Sequence, residues 1–338
     1  CIRDRKTLTE INAPSGHEQA IRRVLLDELK KLGFAPVLDR MGNVVVVKEG
    51  TGDAPRKRVM VSAHMDEVGL IVTSATEDGY LRIAAAGGID PRVLVSKRVT
   101  VGEDKLPGVI GAVPIHLQSA AERKHVLSMD ELLVDIGAKD KDEAERKAPM
   151  GTYISFDTPY VEYGDGFACG KAFDDRVGCL SLLRLLQEEL PVDLVACFVS
   201  EEEVGCRGAK GAAFQQEPDI GIVLEGTTCN DLGDVPETAH VCEAGQGVAV
   251  SFMDGASIAN RALFRKALDV AKQENIPHQV KHSVSGGNDG GAIQRAREGV
   301  PVVVLSVPCR YIHSPSSVVK LSDVESQFAL VKALVKAL

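Results

Sequence analysis

Three consecutive glutamates form the densest group of ionisable side chains in this sequence. Glu201, Glu202 and Glu203 follow, after the single residue Ser200, residues 194–199, an apolar run typical of a buried strand in a parallel sheet. Ligands of open α/β sheets bind beyond the carboxyl ends of the strands, so this block of negative charge predicts a positive partner there. A solvated, charge-rich turn is the alternative that three acids alone leave open.

Two histidines also follow predicted strands. His64 and Asp66 come directly after the predicted strand 58–63, where His64 can ligate a metal and Asp66 can orient the imidazole ring. His313 lies in a proline-flanked loop after the predicted strand 301–307. Each histidine taken alone is equally compatible with an ordinary structural role.

Further carboxylates occupy comparable positions. Asp174 and Asp175 stand at the start of a predicted helix over 175–190, where the helix dipole stabilises negative charge. Either aspartate could simply cap the helix, and because adjacent side chains point in different directions, one can ligate while the other caps. Glu225 closes the predicted strand 220–224, and alone it has a structural explanation too.

Taken together, two histidines and several carboxylates at strand ends indicate a metal site. Mixed nitrogen and oxygen ligation suits zinc, cobalt or manganese. The sequence contains no His-Glu-x-x-His zinc motif, no phosphate loop ending in Gly-Lys-Ser/Thr, no Gly-x-Ser-x-Gly elbow and no dinucleotide fingerprint after the first strand.

Composition narrows the class of protein further. The 338 residues carry a formal charge of −9 and contain 32 glycines but no tryptophan, so no electrostatic footprint for nucleic acid is visible. No apolar run approaches the length of a membrane span, and the first residues lack an apolar signal-peptide core. We therefore expect a cytoplasmic protein with neither nucleic acid nor membrane as partner.

The 8 cysteines do not form the pairs that a thiolate metal site needs. Several, Cys197 among them, lie inside apolar patterns, so we expect reduced core thiols rather than disulfides. Cys206, Cys229 and Cys309 fall near the acidic and histidine positions, and for each we favour packing over ligation.

The remaining pattern indicates an α/β host with an insertion. The capping box from Ser15 to Glu18 predicts the start of a first helix that ends at Gly33. Between about 69 and 161, short alternating strands with frequent Gly and Pro predict a small β-rich domain. From Gly170 onward, helices and strands alternate again.

These segments resemble a known family, the dinuclear metallo-aminopeptidases that include glutamyl aminopeptidase and the self-assembling tetrahedral (TET) aminopeptidases. The resemblance covers nearly the whole chain. It rests on the segments 13–18 (APSGHE), 62–69 (SAHMDEVG), 170–176 (GKAFDDR), 202–209 (EEVGCRGA), 286–289 (GGND) and 311–315 (YIHSP).

The resemblance implies a role for each candidate residue. One metal would be bound by His64 and Glu225, the other by Glu203 and His313, and Asp174 would bridge the two. Glu202 would be the general base, with Asp66 orienting His64. Asp175 would follow Asp174 across an unusual, cis, peptide bond. At position 225 the family commonly has Asp, so the longer Glu225 is a departure that bears on metal preference and on room for the substrate amine.

The resemblance also implies the architecture. We expect a mixed-sheet α/β/α metallopeptidase domain of the phosphorylase/hydrolase-like class, formed by 1–68 and 162–338, with an inserted β-rich barrel domain over 69–161. The insertion would mediate homo-oligomerisation, from dimers to a hollow dodecamer that admits short peptides.

The implied activity is that of a metalloprotease that removes N-terminal residues from short peptides with two divalent ions, zinc, cobalt or manganese. A related metal-dependent deacylase or carboxypeptidase is the first alternative. A glycoside hydrolase with a carboxylate acid and nucleophile is a second, although it leaves His64 and His313 unexplained. An inactive scaffold is the third, disfavoured because no expected ligand or base is missing.

Overall fold

The computed structural model describes residues 2–338, with side chains from Arg5 onward. The thiol predicted at Cys1 lies outside the described residues. The eight α-helices within residues 2–338 are α1 Ile2–Glu10, α2 Gln19–Lys31, α3 Lys141–Lys147, α4 Phe173–Leu185, α5 Arg207–Gln216, α6 Arg261–Gln273, α7 Asp289–Gln294 and α8 Leu321–Lys336. Within this range, no helix combines the length and the apolar character that crossing a membrane requires.

The strands divide into a large mixed sheet and a closed barrel. The sheet contains β1 Val37–Leu38, β2 Val44–Lys48, β3 Arg58–His64, β10 Val161–Tyr163, β11 Phe167–Gly170, β12 Asp193–Val199, β13 Ile220–Thr228, β14 Val248–Ser251, β15 His278–Val280, β16 Val302–Arg310 and β17 Ser317–Lys320. The barrel contains β4 Gly69–Ala75, β5 Leu81–Ala86, β6 Arg98–Val101, β7 Leu106–Gly111, β8 Leu133–Asp135 and β9 Tyr153–Phe156.

Four parallel strands form the centre of the large sheet. In order across the sheet they are β12, β3, β13 and β16. The strands that adjoin them, β2, β14 and β17, pair antiparallel, whereas β15 at the margin runs parallel to β14. In the register of the central pair, Val199 lies opposite His64, so the two strands end level with each other. Side chains on the segments that follow these strands therefore meet at one edge of the sheet.

Alternating side chains of the central strands feed two separate cores, one on each face. In β12, Leu194, Ala196 and Phe198 pack with helices α2, α4, α6 and α8, whereas Val195 and Cys197 pack with α5 and α7. Because successive side chains of a strand point to opposite faces, a continuous apolar run is what a sheet covered on both sides requires. The predicted α/β/α layering is confirmed.

The inserted segment forms a six-stranded antiparallel barrel that closes through pairing of β4 with β9. Its interior is a third apolar core, with Leu70, Leu81, Ile110 and Val134 fully buried. The predicted β-rich barrel is confirmed as an element of the fold. The proposed domain limits, 1–68 with 162–338 and 69–161, stay a prediction.

The prediction that Ser15 caps the first long helix is wrong. That helix, α2, begins only at Gln19, and the Ser15 hydroxyl donates instead to Asp66 Oδ2 at 2.7 Å. The helix α1 was missed because its polar sequence gives no apolar stripe of helical period.

The predicted end of β13 at Leu224 is also wrong, because the strand continues to Thr228. Its parallel pairing with β16 runs on to Thr228 opposite Cys309. Backbone pairing thus extends the strand beyond the apolar run, and Glu225 lies inside it rather than after it.

Candidate metal centre

The candidate residues converge at the carboxyl edge of the central strands. His64 is the last residue of β3, Glu202 and Glu203 follow β12, and Glu225 lies in the adjacent β13. Asp174 reaches the same edge from the start of α4. His313 does so from the loop after β16, completing the set that the sequence nominated.

His64 is 1 % exposed and faces two carboxylates through one ring nitrogen. Its Nε2 lies 3.3 Å from Asp174 Oδ1 and 3.6 Å from Glu225 Oε2. One nitrogen and two carboxylate oxygens from these residues lie within 4.8 Å of one another, which is close enough to surround one cation.

His313 stands on the opposite side of Asp174. Its Nε2 lies 3.5 Å from Asp174 Oδ2 and 3.2 Å from Glu203 Oε2. The two oxygens of Asp174 therefore face different partner sets, with Oδ1 towards His64 and Oδ2 towards His313. A carboxylate placed in this way can bridge two cations.

Local backbone geometry fixes Asp174 in this position. The peptide bond between Asp174 and Asp175 is cis, as expected from the resemblance. Asp175 Oδ1 accepts from Gly178 N at 3.0 Å and thereby caps the first regular turn of α4. Gly226 N donates to Asp174 Oδ1 at 3.1 Å, and a Cβ atom at position 226 would approach that oxygen to 2.8 Å, so only glycine permits this close approach.

Asp66 connects the two halves of the edge. Its Oδ1 lies 3.5 Å from His64 Nδ1 and accepts from Glu202 N at 3.1 Å. Its Oδ2 accepts from Ser15 Oγ at 2.7 Å and from Glu203 N at 3.2 Å. His64 Nδ1 also lies within hydrogen-bond distance of the Asp66 backbone O, at 3.2 Å. Asp66 thus holds the imidazole ring through its backbone and side chain together, and its carboxylate holds the backbone of both glutamates.

Backbone strain is concentrated near the same edge. Ten described residues other than glycine have a positive φ, and five of them lie in the segments that carry the candidate ligands. A non-glycine residue in this region costs about 1–3 kcal/mol, which the surrounding structure must offset. These five residues are Ala172, Glu201, Cys206, Tyr311 and His313.

Electrostatics at the edge favour a bound cation. Burial raises the pKa of Glu225 well above its ordinary value and that of Glu203 to about 8. Burial also opposes ionisation of Asp174, but hydrogen bonds from His313 and His64 outweigh it and lower its pKa. Burial would likewise lower the pKa of His313, yet Asp174 and Glu203 raise it to about 9. Closely packed buried carboxylates therefore depend on positive charge nearby.

The donor set fits divalent metals. Glu225 Oε1 is buried and has no hydrogen-bond partner, as expected of an oxygen that serves as a metal ligand. Three overlapping ligand groups share residues along the edge: His64 with Asp174 and Glu225, Asp174 with Glu203 and His313, and His64 with Glu202 and Glu203. Imidazole and carboxylate ligands suit zinc, cobalt and manganese alike.

Several supporting residues were not found from the sequence. Lys171 Nζ donates to both oxygens of buried Glu67 at 2.8 Å, next to the Asp174 turn. Arg310, which precedes the His313 loop, forms two hydrogen bonds with Asp231, at 2.8 and 2.7 Å. Lys171 and Glu67 carried a signal, since both lie in segments that resemble the family, whereas the Arg310 partner is 79 positions away and leaves no local pattern.

A cleft of about 430 Å³ opens onto the edge. Asp174, Glu202, Glu225 and His313 line it on one side. Lys281, Asp90 and residues 285–288 are among the other residues that line it, and a bound molecule has direct access to the candidate ligands.

Comparison with known proteins places this arrangement in a family. The model of the M42 glutamyl aminopeptidase family matches residues 42–330. A putative aminopeptidase of Acetivibrio thermocellus is 35% identical, covering 98% of this chain and 97% of its own. The TET aminopeptidase of Thaumarchaeota archaeon SCGC AB-539-E09 superimposes with a TM-score of 0.94 at 32% identity, over 100% of this chain and 96% of its own. The TET1 peptidase of Pyrococcus horikoshii, which can assemble into a tetrahedron or a large octahedral shell, gives 0.88 at 32% identity, over 100% and 99%. The chain therefore belongs to the M42 glutamyl aminopeptidase family.

Proposed function

We propose that this metal-dependent aminopeptidase removes N-terminal residues from short peptides at a centre for two divalent ions. The observation that carries the proposal is the arrangement of Asp174, whose two oxygens face His64 and His313 separately. His64 and Glu225 would hold one ion, Glu203 and His313 the other, and Asp174 both. When bound, the ions would supply the Lewis acidity that lowers the pKa of water and stabilises a developing oxyanion.

Glu202 would act as the proton shuttle. Its side chain lines the cleft beside Asp174 and Glu225, and burial raises its pKa, which suits a group that must both take and return a proton. It would accept the proton of the attacking water and deliver it to the departing amine. Asp66 would keep Glu202 in place, because its Oδ1 accepts a hydrogen bond from the Glu202 backbone N–H.

A substrate panel tests the proposed reaction. Aminoacyl chromogenic substrates and short peptides should be hydrolysed from the N-terminus, and a chelator should abolish turnover. An N-acetylated copy of the best peptide should be inert. Hydrolysis of that copy would favour a deacylase or carboxypeptidase, and chelator-resistant activity on glycosides would favour the glycosidase alternative.

Lys281 indicates which N-terminal residues the cleft favours. Its side chain lines the cleft and is 7 % exposed, and within residues 5–338 its Nζ forms no ion pair with a carboxylate. Its Nζ donates a hydrogen bond to Ser285 O at 3.3 Å. A buried ammonium group without a carboxylate partner would be paired by an acidic substrate side chain, so we expect a preference for N-terminal Glu or Asp.

Charge reversal at this position tests the preference. In Lys281→Glu, kcat/KM should fall at least ~10-fold for a glutamyl substrate, because repulsion replaces attraction, and should rise for a lysyl substrate, because attraction replaces repulsion. An alanyl substrate is the matched control, and its turnover should change little. Loss of glutamyl and alanyl turnover together would indicate a damaged cleft and would count against this role for Lys281.

We also propose that the chain assembles into dimers and higher homo-oligomers, up to a dodecamer, through the barrel. Similar structures that form tetrahedral or octahedral shells support the proposal. Exposed apolar side chains such as Val113, Ile115 and Leu117, just after β7, offer contact surface. The cytoplasmic location and the identity of the native metal remain predictions.

A further inference from the structure

A second group of metal-ligating side chains lies beside the proposed general base. It consists of Glu202, Cys206 and Asp289, whose ligand atoms lie within 4.8 Å of one another. Cys206 Sγ donates to Glu202 Oε1 at 3.3 Å. Of these residues only Glu202 has a part in the proposed reaction.

Asp289 has no hydrogen-bond partner among the described residues, although it is fully buried. Its exposure is 0 %, and neither Oδ1 nor Oδ2 accepts a hydrogen bond. An orphaned buried carboxylate is costly unless a cation or a proton neutralises it. Burial and the nearby charge of Glu202 raise the pKa of Asp289 well above its ordinary value, although the charge of His64 and the Cys206 thiol oppose this rise.

The backbone holds Cys206 against these carboxylates. Cys206 has a left-handed conformation with φ of 53°, and its N–H donates to Glu202 O at 2.8 Å. Gly205 N donates to the same carbonyl at 2.9 Å. The turn from Glu202 to Cys206 is therefore fixed, and it keeps the Cys206 backbone next to the base.

We propose that Glu202, Cys206 and Asp289 form a third cation site that binds a thiophilic divalent ion, such as zinc in excess or cadmium, and inhibits the enzyme. A thiolate with two carboxylates is a ligand set for zinc-like ions and not for magnesium or calcium. The ion replaces the thiol proton, which is released to solvent. Because Glu202 then ligates this ion, it can no longer shuttle protons.

The inhibitory half of the proposal rests on the proposed function, whereas the binding half does not. Binding is therefore measured separately, as the ultraviolet charge-transfer absorption that a cadmium–thiolate bond produces. The zinc-loaded enzyme is titrated with cadmium, released zinc is followed with an indicator dye, and turnover is measured in the same samples. Inhibition is expressed relative to the uninhibited rate of each variant.

Three variants give the proposal its sharpest test. In Cys206→Ser the absorption band should disappear, and half-inhibition should need at least 10-fold more cadmium, as expected for loss of the strongest ligand. Asp289→Asn should weaken both binding and inhibition while the thiol remains. Cys169→Ser is the matched control, because Cys169 is another partly exposed free thiol, and it should behave like the parent enzyme.

Two results would overturn the proposal. One is a band of unchanged midpoint in Cys206→Ser, and the other is release of one zinc for each cadmium bound, which would mean simple exchange at the metal centre. If binding follows the prediction but turnover persists, the site exists and the role of Glu202 as base is wrong. Should Asp289→Asn fail to fold, Cys206→Ser decides alone.

Discussion

Replacing Asp66 with Asn would disturb the centre through the residue that supports it. The Asp66 carboxylate accepts three hydrogen bonds, from Ser15 Oγ, Glu202 N and Glu203 N, and its Oδ1 faces His64 Nδ1. Asparagine keeps the shape of the side chain, but an NH2 group replaces one of the two carboxylate oxygens. This group can donate hydrogen bonds but cannot accept them. Whichever way the amide turns, at least one buried donor loses its acceptor.

The contacts of Asp66 determine how much stability, metal affinity and turnover Asp66→Asn should lose. A buried donor left without an acceptor costs about 1–3 kcal/mol, so the free energy of unfolding of Asp66→Asn should fall by that amount. Loss of a residue that orients a metal ligand typically reduces metal affinity or activity by about 10–100-fold. Because the Oδ1 partners are His64 and the Glu202 backbone, we expect both metal affinity and kcat to fall within this range.

Denaturant unfolding, metal titration and steady-state kinetics on the same preparation would measure these quantities. Ser15→Ala is the matched control, since it removes one hydrogen bond to Oδ2 and leaves the contacts of Oδ1 intact. It should cost about 1 kcal/mol in stability and change kcat by less than about 3-fold. If Asp66→Asn keeps the metal affinity and kcat of the parent, the positioning role assigned to Asp66 is refuted.

The remaining predictions concern acid stability and assembly. Burial opposes the charge of Asp231, but the Arg310 guanidinium and the Ala244 N–H outweigh it and hold its pKa at about 2. A lowered pKa stabilises the fold above about pH 4 and loses this effect as pH falls towards 2. Asp231→Asn should therefore lower the free energy of unfolding by about 1–2 kcal/mol at pH 7, with a difference that shrinks below about pH 4 in urea titrations. A difference that stays constant down to pH 3 would contradict this. Light scattering should give a multiple of the chain mass at working concentration, and a strict monomer would rule out the proposed assembly.

The sequence predicted the central sheet well because its strands are continuous apolar runs. Strand β12 was predicted with its observed end at Val199, since burial on both faces leaves an unmistakable pattern. Strand β13 was cut short at Leu224, because the last four residues are held by pairing with β16 rather than by apolar burial. The local pattern of apolar residues indicates which residues are buried. The length of a strand also depends on a neighbouring strand that is distant in sequence.

The same distinction applies to the centre. The type of each candidate and its place after a strand could be read directly, because parallel strands bring their ends to one edge. Which residues meet could not be derived from spacing and came from the resemblance to a family. Ser15 illustrates the limit, since a capping-box pattern concealed a hydrogen bond to Asp66, 51 positions away.

The most direct test of the account is Glu202→Gln, measured for metal content and turnover together. Glu202 is proposed as the proton shuttle and not as a ligand of the two ions that Asp174 bridges. The variant should therefore keep two divalent ions per chain, as counted by mass spectrometry of the purified protein, and should lose turnover by at least ~10²-fold. Turnover close to that of the parent, or loss of an ion along with the activity, would contradict the division of roles between Glu202 and its neighbours.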